Sequence, residues 1–149
     1  MDASRRGLVV ATTDRRADTA LTELCQDQQI RCLRGSSNHV VQRMHQAVLV
    51  YCPEAEYVIR ALADNPLVHV GLAMSRLRLL HRMQADYSWY EGLDHVLTYA
   101  ATTDVYSRAA WEKIASDSQG DEQEHPGLFL WRHMDQFRMV RSPLLSWVY

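Results

Sequence analysis

The order of apolar and amphipathic segments predicts an α+β or α/β sandwich built on one sheet. Short β-branched runs alternate with helical patterns, and 47% of the 149 residues are hydrophobic while 23% are charged. This composition excludes a disordered tail and a membrane span. The length suits one core, so residues 1–141 are expected to form a single domain.

The first half of the chain predicts the sheet and two of its helices. Its elements are a strand over 7–12 (GLVVAT), a helix over 17–27, a strand over 29–33, a hairpin over 39–44 and 47–52, and a helix over 53–64. The strands are β-branched apolar runs, and the first helix repeats apolar residues every three or four positions. Pro53 favours the first position of the second helix, which Asn65 and Pro66 end.

The second half predicts a further strand, two helices and a closing pair of strands. These elements are a strand over 67–74, helices over 93–101 and 109–114, a polar loop over 116–126, and strands over 128–132 and 136–140. Residues 76–84 mix leucine with arginine and fit either an extended ribbon or a helical turn. Gly71 indicates a close approach of the backbone to a neighbour.

Charge and cysteine usage exclude several classes of function. The net charge is -2, so no basic field attracts nucleic acid or anionic lipid. The cationic residues are fifteen arginines and a single lysine, Lys113. This excludes any mechanism that needs a lysine at another position of the chain. Cys25, Cys32 and Cys52 form an odd set that predicts a reducing, cytoplasmic setting without disulfides. Residues 1–6 lack a secretory signal, although import into an organelle by a short uncleaved signal stays open.

Segments in the order of the chain resemble the motifs of class III nucleotidyl cyclases. In residues 13–21 (TDRRADTAL) a strand ends in Thr-Asp, turns and enters a helix through Thr-Ala-Leu, as in that family's first motif. The other resembling segments are 41–50 (VQRMHQAVLV), 53–55 (PEA), 68–72 (VHVGL), 86–101, 105–114 (VYSRAAWEKI) and 130–132 (LWR). The resemblance covers residues 8–140 and is closest to the receptor-type adenylate cyclases of trypanosomes. It implies a ferredoxin-like βαββαβ sandwich, with helices packed on one sheet.

The resemblance also implies a catalytic set that this chain has mostly replaced. Asp14 matches the first of two metal-binding aspartates, but a lone carboxylate binds Mg²⁺ poorly and a turn or cap residue is the simpler interpretation. The replaced positions are Gln46 for the second aspartate, Gln42 for the purine-reading lysine, His95 for the ribose-orienting asparagine, and Tyr99 or Thr98 for the arginine that stabilises phosphate charge. The histidines show no zinc-binding spacing. We therefore expect no catalytic residue, metal or cofactor.

These replacements predict a catalytically inactive cyclase-like domain, serving as a structural or protein-interaction subunit of a larger assembly. The alternative is a regulatory module that senses a nucleotide or another small molecule in the relic cleft. A receiver-like domain is disfavoured, because that fold needs parallel βα repeats and a lysine late in the chain. Kinship with the trypanosome cyclases implies a flagellar or cytoskeletal setting.

Two segments are candidates for contacts with other protein subunits, in a homo- or heterodimer of the cyclase type. An apolar tail over 142–149 stands at a terminus, where most domains fray, and aromatic residues often anchor interfaces. The candidate partner-binding residues are Tyr87, Trp89, Tyr90, Leu144, Leu145, Trp147 and Tyr149. Core packing is the alternative for the first three.

Overall fold

The structure is a computed structural model that describes residues 7–65, 67–90 and 103–142, apart from the side chain of Tyr90. The chain divides into two compact units. The first comprises Met1–Ala55 and Glu112–Arg132, and the second comprises Glu56–Trp111 and His133–Tyr149. The single domain over residues 1–141 and the docking tail over 142–149 stay predictions.

The first unit is built on a pair of parallel strands. Its first elements are β1 (Val9–Thr13), a 3-10 helix (Arg16–Asp18), α1 (Thr19–Asp27), β2 (Arg31–Gly35) and α2 (Val40–Tyr51). Strand β2 pairs with β1 in parallel, and α1 supplies the crossover that parallel pairing requires. Helix α2 packs against both strands. The strand, helix and strand predicted within residues 7–33 are confirmed.

Helix α2 occupies the place of the predicted hairpin, and that prediction is wrong. Its valines favoured strands, yet Val41, Met44 and Val48 also lie three and four positions apart on one helix face. Val41 and Ala47 are buried, at 0% and 4% exposure. Packing of this face on the strand pair decides the conformation, because β propensity is weak and depends on context.

The second unit contains a four-stranded mixed sheet in the order β3–β5–β4–β6. Its strands are β3 (Tyr57–Arg60), β4 (Tyr87–Tyr90), β5 (Asp104–Ser107) and β6 (Met139–Ser142). Strand β5 is antiparallel to β3 and β4, whereas β4 and β6 are parallel. Helix α3 (Val70–Met83) covers this sheet, and its fully buried Leu80 packs in one cluster with Ala85 and Val105.

The C-terminal helices complete the described chain. They are α4 (Arg108–Asp117), a 3-10 helix (Gly120–Gln123), α5 (Pro126–Arg132) and a 3-10 helix (Met134–Gln136). The boundary between the units falls within α4. The predicted helix over 109–114 is confirmed as part of α4, and the one over 93–101 lies outside the described residues. In the described ranges, no helix combines the length and the apolar character that crossing a membrane requires.

Three further elements differ from the prediction. The helix over 53–64 is replaced by strand β3 and a loop, and the strand over 128–132 is α5. The strand over 67–74 is the beginning of α3. There the Nδ1 atom of His69 accepts the N–H of Leu72 at 3.2 Å, and a Cβ atom on Gly71 would lie 2.8 Å from the His69 ring. Gly71 does mark a close approach, but it makes room for a helix cap.

The ferredoxin-like βαββαβ sandwich is therefore wrong. Its second and third strands would have to come from residues 39–52, which form helix α2. Instead of one antiparallel sheet, the described chain has a parallel strand pair in one unit and a mixed sheet in the other.

Candidate functional site

The carboxyl ends of β1 and β2 meet at one edge of the first unit. The two strands are parallel, with Thr13 opposite Gly35, and the N–H of Asp14 donates to the carbonyl of Gly35 at 2.9 Å. Parallel α/β units bind ligands outside the carboxyl ends of their strands, because the loops to the helices converge there. We refer to Thr12, Thr13, Asp14, Asp18, Arg34, Gly35, Ser36 and Arg43 as the carboxyl edge.

Asp18 is the fixed anion of the carboxyl edge. Its Oδ2 atom accepts the hydroxyl of Thr13 at 2.5 Å, the hydroxyl of Thr12 at 2.9 Å and the N–H of Thr13 at 3.1 Å. These donors, led by the Thr13 hydroxyl, lower the pKa of Asp18 below its usual value. The carboxylate therefore stays ionised and holds the end of β1 against the start of α1.

Arg34 binds backbone carbonyls just beyond the end of β1. Its Nε atom donates to the carbonyl of Thr13 at 3.1 Å, and its Nη2 atom donates to that of Arg15 at 2.8 Å. The side chain is exposed. A guanidinium has further N–H groups beyond the two used here, so Arg34 can also face an anionic ligand.

Arg43 reaches the same edge from helix α2. Its Nε atom donates to the carbonyl of Ala11 at 3.3 Å, and its Nη1 atom donates to that of Ser36. The stem of Arg43 passes so close to Gly35 that a Cβ atom there would lie 3.0 Å from Cγ. Partial burial lowers the pKa of Arg43, while the charges of Asp18 and Asp14 act in the opposite direction. The guanidinium stays protonated and is held by the backbone on two sides.

The arrangement suits a ligand with negative charge. Two oriented guanidinium groups stand beside hydroxyl and backbone groups at the loop that leads into α1. Arginine binds phosphate oxygens through paired N–H groups, and its fixed position adds geometric specificity. In the described ranges, no group of three or more His, Cys, Asp or Glu side chains could hold a metal ion.

A second polar cluster lies in the sheet of the other unit and stabilises it. Arg76 is 2% exposed and donates to the hydroxyl of Ser88 at 2.8 Å and to the carbonyls of Ser88 and Thr103. The Asp104 carboxylate accepts the Tyr87 hydroxyl at 3.0 Å and pairs with Arg60 at 3.0 Å. Burial, followed by the charge of Asp104, raises the pKa of Tyr87. These groups connect α3, β3, β4 and β5.

Comparisons with known proteins identify the family and the fold of this chain. A family model described as cytidylyltransferase matches residues 2–142. This chain belongs to the cytidylyltransferase family. The structure of a cytidylyltransferase from Leptospira borgpetersenii matches 92% of this chain and 58% of its own length, with a TM-score of 0.78 and 20% identity. The fold is therefore Rossmann-like, with mixed sheets and helices.

Two curated proteins are similar in sequence. An uncharacterised protein of Methanocaldococcus jannaschii is 27% identical over 127 residues, which are 82% of this chain and 51% of that protein. The spore coat polysaccharide biosynthesis protein SpsF of Bacillus subtilis is 31% identical over 85 residues, which are 57% of this chain and 35% of that protein. The chain thus spans about half the length, or less, of the curated relatives it matches.

Membership of the cytidylyltransferase family overturns the cyclase interpretation. The resemblance to class III cyclases is wrong, and with it the inactive structural subunit, the alternative sensing module, and the flagellar or cytoskeletal setting. The prediction that the chain is not an enzyme is also wrong. The replaced catalytic positions had meaning only in an alignment to another family. Gln42 and Gln46 lie on helix α2, where a cyclase would have strands.

The structure places the residues of the predicted cyclase set as follows. Asp14 is exposed and is itself one of the residues of the carboxyl edge. Gln42 donates to the carbonyl of Ala115, a contact within the first unit, and Gln46 is exposed on α2. His95 and Tyr99 lie outside the described residues. That the chain has no catalytic residue, metal or cofactor stays a prediction.

The predicted partner-binding residues lie partly within and partly outside the described residues. Tyr87 is buried against Tyr106, with ring centroids 5.4 Å apart, and Trp89 is half-buried. The side chain of Tyr90 and the residues Leu144, Leu145, Trp147 and Tyr149 lie outside the description. A partner-binding role for these residues stays a prediction.

The sequence interpretation missed Asp18, Arg34 and Arg43. The hydrogen bonds of Asp18 run back to Thr12 and Thr13, the two threonines that end β1. Arg34 and Gly35 fall between the predicted strand over 29–33 and the predicted hairpin, and Arg43 falls in the first strand of that hairpin. A polar turn after each of two parallel strands was the signal that could have found them.

Proposed function

We propose that this chain is part of an enzyme that transfers the cytidylyl group of CTP to an acceptor hydroxyl. The observation that carries the proposal is the family match over residues 2–142, which includes every residue of the carboxyl edge. The edge supplies what such a substrate needs, since CTP carries a highly charged triphosphate.

In this reaction the acceptor oxygen attacks the α-phosphorus of CTP. A bond forms between that oxygen and phosphorus, and the bond from phosphorus to the bridging oxygen of the β-phosphate breaks. Pyrophosphate leaves with the electron pair, and the hydroxyl proton passes to a base. Negative charge grows on the phosphate oxygens, so fixed cations lower the barrier mainly by electrostatic stabilisation.

The carboxyl edge would hold the triphosphate through Arg34 and Arg43. Both guanidinium groups are positioned beforehand by carbonyls of β1 or of the loop after β2. Preorganised donors contribute more than mobile ones, because no free energy is spent on ordering them at the moment of reaction. Asp18 would keep the first turn of α1 in place and limit the net positive charge at the edge.

The acceptor is proposed to be a sugar. SpsF, which is 31% identical over 85 residues, is named for polysaccharide biosynthesis, and polysaccharides are built from activated sugars. Transfer of CMP to a sugar hydroxyl would give such an activated sugar nucleotide. The Asp104 and Arg60 pair of the second unit takes no part in this assignment, since its contacts are internal to the sheet.

Binding of CTP by the full chain tests the nucleotide assignment. We expect calorimetric titration to show CTP binding, and we expect Arg43→Ala to weaken it by about tenfold or more, the effect of losing a hydrogen bond to a charged group. Arg43→Lys keeps the charge but loses the paired N–H geometry. Its affinity for CTP should therefore lie between that of the native chain and that of Arg43→Ala. The matched control is Arg78→Ala, which removes an exposed arginine from α3 in the second unit.

The outcome is decisive in either direction. A wild-type chain that shows no heat of CTP binding, or an Arg43→Ala chain that binds like the Arg78→Ala control, contradicts the assignment of the carboxyl edge. Transfer itself is then measured as pyrophosphate release from CTP in the presence of sugar acceptors, with ATP and UTP as competing nucleotides.

A further inference from the structure

Two thiols of the first unit lie against each other between α1 and β2. Cys25 is in the last turn of α1 and is 3% exposed, whereas Cys32 is on β2 and half-buried. The Cys32 thiol forms side-chain hydrogen bonds with the Cys25 thiol and with the Thr22 hydroxyl. Thr22 and Cys25 are three positions apart and therefore share one face of α1. That face of the helix meets β2 through a pair of thiols.

The turn between α1 and β2 holds the two cysteines at this place. The N–H of Ile30 donates to the carbonyl of Cys25 at 2.7 Å, and the N–H of Gln29 donates to that of Gln26 at 3.0 Å. Gln29 has a φ of 55°, in the left-handed region. These are the bonds and the conformation of a Schellman motif, which ends a helix and reverses the chain. Cys32 follows Ile30 by two residues, so the backbone brings it back beside the last turn of α1.

We propose that Cys25 and Cys32 are a modification site, at which a low-molecular-weight disulfide such as glutathione disulfide reversibly converts the two thiols into a disulfide. A disulfide can form only where the backbone brings two sulfur atoms together, and the native packing of α1 on β2 does so here. Disulfides that form in a reducing setting are usually transient and respond to the redox state. The modification would fasten the end of α1 to β2.

Exposure decides the order of the two chemical steps. The thiolate of the half-buried Cys32 attacks one sulfur of the small disulfide, whose S–S bond breaks, and the first small thiolate leaves with the electron pair. The thiolate of the buried Cys25 then attacks the Sγ atom of Cys32 and displaces the second small thiolate. The two protein thiols lose their protons to solvent. Two electrons pass to the small disulfide, which is reduced to two thiols.

The environment of Cys32 sets the pace of this reaction. Burial, followed by the charge of Cys25, raises the pKa of the Cys32 thiol. Little thiolate is present near neutral pH, so the first attack is slow. The same property protects the product, because a thiol of high pKa is a poor leaving group when a disulfide is reduced. The pair is therefore expected to respond to sustained oxidation and to be reduced slowly.

Peptide mapping tests which cysteines pair. Arginines separate the three cysteines into the tryptic peptides 17–31, 32–34 and 44–60. The reduced full chain is brought to equilibrium with glutathione disulfide, alkylated, unfolded and digested. We expect 17–31 to be joined to 32–34 by a bond that dithiothreitol removes, and 44–60 to be joined to neither. A chain in which 32–34 stays alkylated, or is joined mainly to 44–60, contradicts the proposal.

A second measurement separates the effect of the fold from that of sequence separation, since cysteines close in sequence also form a loop in an unfolded chain. The equilibrium constant for closing the disulfide is measured in glutathione buffers, with the chain folded and with the chain unfolded in urea. Because native packing holds the thiols in contact, the constant should be about tenfold or more larger in the folded chain. The oxidised chain should accordingly have a higher urea midpoint than the reduced chain.

The variants complete the test. The control Cys52→Ser should behave like the native chain, whereas Cys25→Ser should form no internal disulfide and carry at most one glutathione on Cys32. A closing constant that is equal in the folded and unfolded chains, or smaller in the folded chain, contradicts the proposal, because the packing of α1 on β2 then does not favour the disulfide. None of these results depends on CTP, so they are distinct from a failure of the proposed function.

Discussion

Arg76 is expected to be the most sensitive charged residue of the second unit. The side chain is 2% exposed, and its N–H groups bind the hydroxyl of Ser88 and the carbonyls of Ser88 and Thr103. Its guanidinium carbon also lies 5.4 Å from the ring centre of Tyr87. The substitution Arg76→Met keeps an unbranched stem, loses the guanidinium and removes every one of these bonds.

The magnitude follows from the number of partners left behind. Each buried polar group that loses its partner costs about 1–3 kcal/mol, and three groups are affected. Removing the charge offsets part of this loss of stability, because burying a guanidinium itself costs desolvation free energy. We expect a net loss of about 3 kcal/mol in the free energy of unfolding. For a chain of this size, that lowers Tm by about 6–12 °C.

Urea denaturation followed by circular dichroism measures this change. The matched control is Arg78→Met, two positions along the same helix and exposed, which should stay within about 0.5 kcal/mol of the native chain. The stability of Arg76→Lys should lie between the stabilities of Arg76→Met and Arg78→Met, because one ammonium cannot reach all three acceptors. An Arg76→Met chain as stable as the Arg78→Met chain would show that these hydrogen bonds do not stabilise the unit.

Further substitutions test other contacts. The pKa of Asp18 is lowered in the folded chain. The contribution of Asp18 to stability is therefore complete above the unfolded carboxyl pKa of about 3.9 and is lost as the pH falls through the folded pKa. Asp18→Asn should flatten the loss of stability in acid, whereas the control Glu23→Gln should not. Asp86→Ala removes an acceptor of one side-chain hydroxyl at 2.7 Å and one backbone N–H at 2.9 Å, and should cost about 1–3 kcal/mol in urea denaturation. The Tyr106 hydroxyl is fully buried and has no hydrogen-bond partner in the described structure, so Tyr106→Phe should be neutral or stabilising in the same assay, and a clear loss of stability would contradict this.

The local structure of residues 7–35 could be predicted from their pattern. A β-branched run, a helical repeat of apolar residues and a second short strand give β1, α1 and β2, because each segment has one strong periodicity. The segment after β2 has two competing patterns. Val40, Val41 and Val48 favour a strand by propensity and a helix by spacing, and only contact with the strand pair chooses between them.

The candidate site could be predicted in part. Asp14 was singled out as the counterpart of a metal-binding aspartate in a cyclase, a resemblance that is wrong, and the structure places this residue at the carboxyl edge. Arg43 could not be found, because its contact with the carbonyl of Ala11 joins residues 32 positions apart. The family was also misassigned, since short motifs in a shared order do not show whether residues 41–50 form a hairpin or a helix.

By itself, the sequence determined the strand, helix and strand at the start of the chain and the near absence of lysine, which assigns the cationic roles to arginine. Tertiary structure decided the conformation of α2 and α3, the parallel pairing of β1 with β2, and the meeting of Arg34, Arg43 and Asp18 at one edge. The physical reason is that propensity acts over a few neighbouring residues, whereas burial and hydrogen bonding join segments that are distant in the chain.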